Sequence, residues 1–266
     1  MSITLPYAAL MLAAAAMFFL ARRCFPDSSS GLATVSREER RTILLAAFIG
    51  GVLGAKLPFV FVRDADWFGT AWLADGKTVT TGLIGAYLAV ELVKLLYGIK
   101  SKTGDSFALP LALALAVGRW GCFLHGCCFG VPTQLPWGVD FGDGIARHPT
   151  QAYESLFHFT MAMILIQIVR RGWSRNQRLK VYLISYGIYR FLTEYIRPEP
   201  VYAIGLTYFQ LVALFMVTGL LMQWGYETYS QFLRSYFSSD RILKISQHRG
   251  SHPTIPTIVE QFDHGS

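Results

Sequence analysis

The stretch FALPLALALAVGRWGCFL, Phe107–Leu124, decides the fold. Its apolar residues form a continuous run rather than a stripe, and its one charge is Arg119, near the end. A helix that is apolar all round belongs in a large core or a bilayer. About 20 such residues cross the hydrocarbon. Working outward, six further runs of this kind follow the same rule: Ile3–Ala21, Ile43–Val62, Gly82–Ile99, Tyr153–Val169, Leu179–Ile196 and Ala203–Trp224, each bounded by charge, Pro or Gly. Composition agrees. The 266 residues are 53% hydrophobic and 15% charged, with mean hydropathy +0.37, whereas soluble chains carry about 25% charged residues. Disordered, collagen-like and coiled-coil classes are excluded. The expected fold is an all-α polytopic membrane protein of about seven transmembrane helices (1–238), followed by a polar cytoplasmic tail (239–266).

The balance of 24 Lys+Arg against 17 Asp+Glu gives +7, which by itself invites a nucleic-acid partner. The placement of the charges argues for no nucleic acid. The first connection holds Arg22, Arg23, Arg37, Arg40 and Arg41, and the third Lys100 and Lys102. The fifth holds Arg170, Arg171, Arg175, Arg178 and Lys180, and Arg234, Arg241, Lys244 and Arg249 follow the last span. In the second, Asp64, Asp66 and Asp75 outnumber Arg63 and Lys77; in the fourth, Asp140 and Asp143 outnumber Arg147. Basic loops stay in the cytoplasm, so the alternation predicts the N-terminus out and the C-terminus in. Ala13–Ala16 offer a small-residue cleavage site, but Arg22 and Arg23 follow the apolar run instead of preceding it, and the span is read as an uncleaved anchor. The outward loop Gly126–Thr150, rich in Gly, Pro and aromatics, is read as a folded lid.

Ionisable side chains inside spans cost roughly 2.5–3.5 kcal/mol each and mark function. Lys56, Glu91, Lys94, Arg119, Glu154, Arg190 and Glu194 are such residues. Glu91 and Lys94, three apart, can neutralise each other. Arg190, Glu194 and Arg197 form one polar stripe that Pro198 ends. Two readings stand: Glu194 holds both guanidinium groups for a phosphate, or the stripe makes an inter-helix salt bridge with Glu154. Arg119, between Gly118 and Gly121, has no acid in its own helix, so its counter-ion comes from another helix or from an anionic lipid headgroup.

In order and spacing, four elements resemble the bacterial prolipoprotein diacylglyceryl transferase family. They are Gly82-Leu83-Ile84-Gly85; Gly118-Arg119 with Gly121 and Gly130; His148-Pro149-Thr150-Gln151-Ala152-Tyr153-Glu154; and Tyr186-Gly187-Ile188-Tyr189-Arg190-Phe191-Leu192-Thr193-Glu194 with Arg197. Tyr7 and Gln210 fit as well. The resemblance implies an enzyme of the bacterial inner membrane with its active site toward the outer face and no cofactor. Its partners would be phosphatidylglycerol and a lipoprotein precursor whose lipobox cysteine accepts the diacylglyceryl group. By motif, Arg190, Glu194, Tyr186 and His148 would be catalytic. Arg119, Arg197, Tyr7, Gly130, Gln151 and Glu154 would bind substrate. Charge develops on the leaving phosphate, where preorganised arginines stabilise it; the attacking thiol must ionise. His125 and His148 are the histidines best placed to act as base; His148, in the matched motif, has a turn-fixing structural histidine as its other reading.

The chain departs from the family pattern where thiol activation is concerned. Thr80-Thr81 precede Gly82 where the family has His, Cys122 stands for Asn, Cys127 for Glu and Lys56 for Arg. A paralogue with another acceptor, or a catalytically dead lipid- or lipoprotein-binding relative, are the alternatives these changes raise. Cys122, Cys127 and Cys128, with His125 between them, carry four readings: a metal site, a disulfide, a nucleophile or acyl carrier, or small residues packing a helix end; a redox carrier built on them is a further alternative function. No metal is expected, because the spacing is not a paired C-x-x-C and adjacent cysteines seldom share an ion. A retinal protein is excluded by the lack of lysine in Ala203–Trp224.

Overall fold

The computed structural model describes residues 5–25, 31–62, 78–202 and 204–249. Among them, seven helices follow the chain: α1 Leu5–Cys24, α2 Arg37–Val62, α3 Val79–Leu96, α4 Asp105–Leu124, α5 Thr150–Arg170, α6 Arg178–Thr193 and α7 Tyr208–Arg249. The charges of the second expected connection, Arg63 to Lys77, lie outside the described residues, as do Ile3 and Ala203. Two compact units divide at Leu221 and Met222. The first contains α1–α6 and the opening turns of α7. In the second, α7 continues to Arg249, through the start of the segment expected as a tail; 250–266 lie outside the described residues.

Six helices are long and apolar enough to cross a membrane. The exception is α6, expected as the span Leu179–Ile196. Its 16 residues rise about 24 Å at 1.5 Å each, short of a hydrocarbon core of about 30 Å. The α-helix ends at Thr193 and tightens into a 3-10 turn at Glu194–Ile196, just before Pro198. The chain is an all-helical, multi-pass membrane protein, and its outer surfaces are what lipid requires. Leu12, Phe19, Leu45, Phe48, Leu92 and Leu95 are all exposed, Leu95 by 78%. Apolar surface on this scale marks a membrane or partner face.

The core of the first unit is built from α4 (Ala108, Ala112), α5 (Ala162, Leu165), α6 (Tyr182, Leu183, Tyr186) and α7 (Met216). Small residues on α4 and α5 let the bulky tyrosines of α6 fill the centre. Helices α2 and α3 approach more closely still. A Cβ added at Gly85 would meet the Gly50 carbonyl and, at 2.9 Å, Gly54 Cα; this is small-residue packing of the membrane type. Thus the Gly82-to-Gly85 element serves a helix crossing. Polar caps hold the ends. Asp105 at the start of α4 accepts backbone N–H bonds from Asn176 (2.6 Å) and Arg178 (2.9 Å), satisfying donors that the start of α6 leaves open. Thr207 and Gln210 cap α7 reciprocally, at 2.9 and 3.2 Å, as in a capping box. Glu91 and Lys94 pair at 2.9 Å.

The segment between α4 and α5 is folded. Strands β1 (Val139–Asp140) and β2 (Ala146–Arg147) form an antiparallel hairpin. Asp140 Oδ1 accepts the N–H groups of Gly142, Asp143 and Gly144 at its tip. Phe141 stacks on Phe129, and Arg147 lies 4.8 Å over the Phe129 ring.

Candidate active site

Helices α3 and α7 begin, and α4 and α6 end, around one chamber of about 230 Å³. Its lining includes Thr80 from the start of α3, Arg119 from the last turns of α4, and Cys128 just beyond α4. Arg190 comes from the end of α6, Arg197 and Glu199 from the chain that follows, and Tyr208 and Phe209 from the start of α7. The three arginines predicted from sequence thus share one cavity, although 78 positions of chain separate Arg119 from Arg197.

A buried carboxylate organises them. Glu154, in the first turns of α5, is 1% exposed. Its Oε1 accepts from Arg119 Nη2 and, at 2.8 Å, from Tyr186 Oη; its Oε2 accepts from Arg197 Nη2 at 3.3 Å. His158 Nε2 lies 3.7 Å from the same carboxylate, and its Nδ1 is 2.9 Å from Tyr182 Oη. Arg190 pairs separately with Glu194 at 2.8 Å, and Thr207 Oγ1 donates to Glu194 at 3.1 Å. Glu194 therefore holds Arg190 alone. Because the helix tightens at Glu194, Arg197 leaves the stripe and reaches across to α5, in the inter-helix bridge that was the second reading of these residues. Arg119 likewise takes its counter-ion from another helix. Three guanidinium groups face two deeply buried carboxylates, and a third carboxylate, the half-buried Glu199, stands on the lining. Arg119 Nε, Arg190 Nη1 and Arg197 Nε are buried with no partner in the protein. Such donors are costly to leave unmatched.

The remaining predicted residues take supporting positions. Tyr186 is fully buried behind the chamber and reaches Thr80 at 3.5 Å as well as Glu154. Tyr7 on α1 packs its ring 5.1 Å from His125. Neither His148 nor His125 lines the chamber. The His148 ring is 3.4 Å from Tyr153 Oη, and its carbonyl accepts from Gly130 and Thr150. Gly130 is needed for the protein's own chain: a Cβ there would stand 2.5 Å from the Ile196 carbonyl and 2.8 Å from His148 Cβ. Gly130→Ala is accordingly expected to lower stability by about 1–3 kcal/mol, read as an earlier thermal transition in detergent. Gln151 Nε2 donates to the Cys127 carbonyl and Thr150 Oγ1 to the Cys128 carbonyl, the latter at 2.6 Å.

Sequence reasoning did not place Glu199, Tyr202, Tyr208 or Phe209 at the site. Their signal is weak: they flank Pro200 and the start of α7, where no polar stripe marks a helix face. Phe209 nonetheless sits 5.1 Å beneath the Arg190 guanidinium, a cation–π contact that fixes its plane. Cys128 was noticed as part of a cluster but not as lining. Hydrogen bonding to Cys122 and Cys127 holds its thiol well below the ordinary range, with Arg119 and Arg197 adding to the effect.

Comparison with known proteins bears directly on this arrangement. The family model described as prolipoprotein diacylglyceryl transferase matches residues 4–226. A protein from Clostridium tetani, named phosphatidylglycerol–prolipoprotein diacylglyceryl transferase, is 33% identical over 172 residues, 59% of this chain and 67% of its own. One of the same name from Finegoldia magna is 33% identical over 155 residues, 57% of this chain and 62% of its own. This chain therefore spans a little under two thirds of the Finegoldia protein's length. A third, from Photobacterium profundum, is 30% identical over 226 residues, 79% of this chain and 84% of its own. With the family model covering most of its length and all four motif elements present, the chain belongs to the prolipoprotein diacylglyceryl transferase family.

Proposed function

We propose that this chain transfers the diacylglyceryl group of phosphatidylglycerol to a cysteine thiol of a lipoprotein precursor. The acceptor sulfur attacks the terminal glyceryl carbon, the bond from that carbon to the phosphate oxygen breaks, and glycerol phosphate leaves with the electron pair. The observation that carries this reading is the chamber with three arginines, each keeping a buried N–H free of protein partners. Guanidinium groups suit a phosphate diester that becomes a more highly charged monoester as the bond breaks. Arg190 and Arg119 grip that phosphate; Glu154 and Glu194 hold them in fixed orientations; Tyr186 keeps Glu154 in place.

The protein lies in the bacterial inner membrane with its N-terminus outside and the chamber toward the outer face. Support comes from the basic residues Arg22, Arg23, Arg170, Arg171 and Arg175, which gather at the helix ends opposite those that line the chamber. A precursor arriving after translocation would meet the chamber there.

One observation favours a second reading, a lipid-binding relative without turnover: no histidine is among the described residues lining the chamber. Proteoliposomes containing radiolabelled phosphatidylglycerol and a lipobox peptide separate the two. The expected result is a diacylglyceryl thioether on the peptide cysteine, abolished in Arg119→Ala. Arg119-dependent lipid binding with no thioether would establish the second reading; unimpaired transfer by Arg119→Ala would remove the first.

A further inference from the structure

Beyond the arginines, the chamber has a second chemical feature at its edge, reached through Cys128 on its lining. The sulfurs of Cys122, Cys127 and Cys128 all lie within 4.8 Å of one another, and none is in a disulfide. Tetrahedral zinc with Zn–S bonds of about 2.3 Å sets its sulfurs roughly 3.8 Å apart, whereas a disulfide needs about 2.05 Å. A spread of no more than 4.8 Å lets all three sulfurs reach one tetrahedral ion. Adjacent cysteines normally point to opposite sides of an extended chain. Here the backbone overcomes this: Gly126 and Cys128 both adopt positive φ, +66° and +63°. The left-handed turn at Cys128, unusual for a residue with a Cβ, folds its thiol back toward Cys127 and toward Cys122 in the last turn of α4.

The backbone that presents these thiols is itself fixed. Gln151 and Thr150 at the start of α5 hold the Cys127 and Cys128 carbonyls, and Cys127 N–H donates to the Cys122 carbonyl at 3.1 Å. These bonds hold the main chain that carries the sulfurs. A cation stands beside the cluster. Three thiolates on a divalent ion leave one net negative charge, and Arg119 Nη1 lies 4.0 Å from Cys122 Sγ.

We propose that Cys122, Cys127 and Cys128 bind one thiophilic divalent ion, zinc in the first instance, with its fourth position open to the chamber for the acceptor thiol. Catalytic zinc sites keep such an open position, and structural ones close it. Cys128 lines the chamber beside Arg119, Arg190 and Arg197, so a fourth ligand would stand next to the phosphate that the arginines hold. The proposal rests on the transferase reading for the identity of that ligand. The precursor thiol loses its proton to water on coordination, and the resulting thiolate attacks the glyceryl carbon. The carbon–sulfur bond forms as the carbon–oxygen bond breaks, and the electron pair departs with glycerol phosphate. The ion undergoes no redox change, and the product thioether, a weaker ligand than a thiolate, vacates the position. This assigns thiol activation to a chain whose Thr80 stands where the family has a histidine.

The test uses full-length protein purified in detergent under reducing conditions. Elemental analysis after zinc loading and desalting is expected to give one zinc per chain. Cobalt loading is expected to give thiolate charge-transfer absorption. Cys122→Ser, Cys127→Ser and Cys128→Ser should each lose both signals, and Thr150→Ala should bind about tenfold more weakly. Cys24→Ser, distant and exposed, should match wild type and controls for handling. A lipobox peptide with cysteine should shift the cobalt spectrum, and the same peptide with serine should not. Zinc binding equal to that of the triple cysteine variant, or a native disulfide among the three by mass spectrometry, overturns the proposal. A cobalt spectrum indifferent to the cysteine peptide overturns the open-position part. If chelated protein and the cysteine variants still transfer lipid at the wild-type rate, the metal inference falls and the transferase reading stands. If zinc binds but no loaded form transfers lipid, the transferase reading falls, and with it the acceptor role of the ion.

Discussion

Glu154→Gln is expected to destabilise the protein by about 3–5 kcal/mol, the usual result of breaking a buried ion pair from one side. Two guanidinium groups, Arg119 and Arg197, reach this carboxylate from different helices, and Tyr186 donates to it. Glutamine keeps the shape and removes the charge, so both arginines would remain buried without an anion. The effect should be read as an earlier thermal transition of detergent-solubilised protein and as low recovery from membranes. Replacing Arg197 by Gln in the same molecule removes one stranded charge and should recover part of the loss, which a simple packing defect would not allow. The exposed pair Arg147–Asp143, at 2.5 Å on the hairpin, offers the contrast: Asp143→Asn should leave the transition where it is. A Glu154→Gln protein as stable as wild type would show that the carboxylate does not organise the arginines.

Arg190→Lys is expected to separate stability from chemistry. Lysine keeps a positive charge for Glu194, so the fold should survive. It loses the planar fork and the ring contact with Phe209, and with them the oriented donor that Arg190 keeps free of protein partners. Arginine and lysine are not equivalent at such positions. Removing one preorganised donor to a developing oxyanion typically lowers kcat by about 10²–10³-fold. Transfer rates at saturating phosphatidylglycerol should fall by that factor, with an unchanged thermal transition. A lysine variant that turns over at the wild-type rate would mean that Arg190 supplies charge only, or lies away from the phosphate.

Much of the architecture is legible along the chain because hydrophobic runs are a local property. The stretch Phe107–Leu124 reads as a helix from its own residues, and α4 ends at Leu124 as the run does. The sixth span is the instructive departure. Its hydropathy runs on to Ile196, but Glu194 and the following Pro198 tighten the last turn, and a run of apolar residues does not reveal where helical geometry changes. At the site, Arg119, Arg190 and Arg197 are visible as charges in the wrong solvent, and they do line one chamber. Glu154 is legible as a candidate partner of the stripe, but which arginine it takes is not. Arg197 lies three residues from Glu194 yet bonds to Glu154, 43 positions away.

Residue order was enough to establish a multi-pass bundle, its motifs and the residue types it gathers, since burial of apolar runs and the cost of buried charge depend on composition read one helix at a time. Packing in three dimensions was needed to show which carboxylate holds which arginine, that His148 stands outside the chamber, and that three cysteines converge beside it with Cys128 on its lining. Those outcomes depend on where the ends of separate helices meet and on two left-handed residues in one loop. Distances across a fold come from packing and backbone dihedrals, and these are not written in the order of the residues.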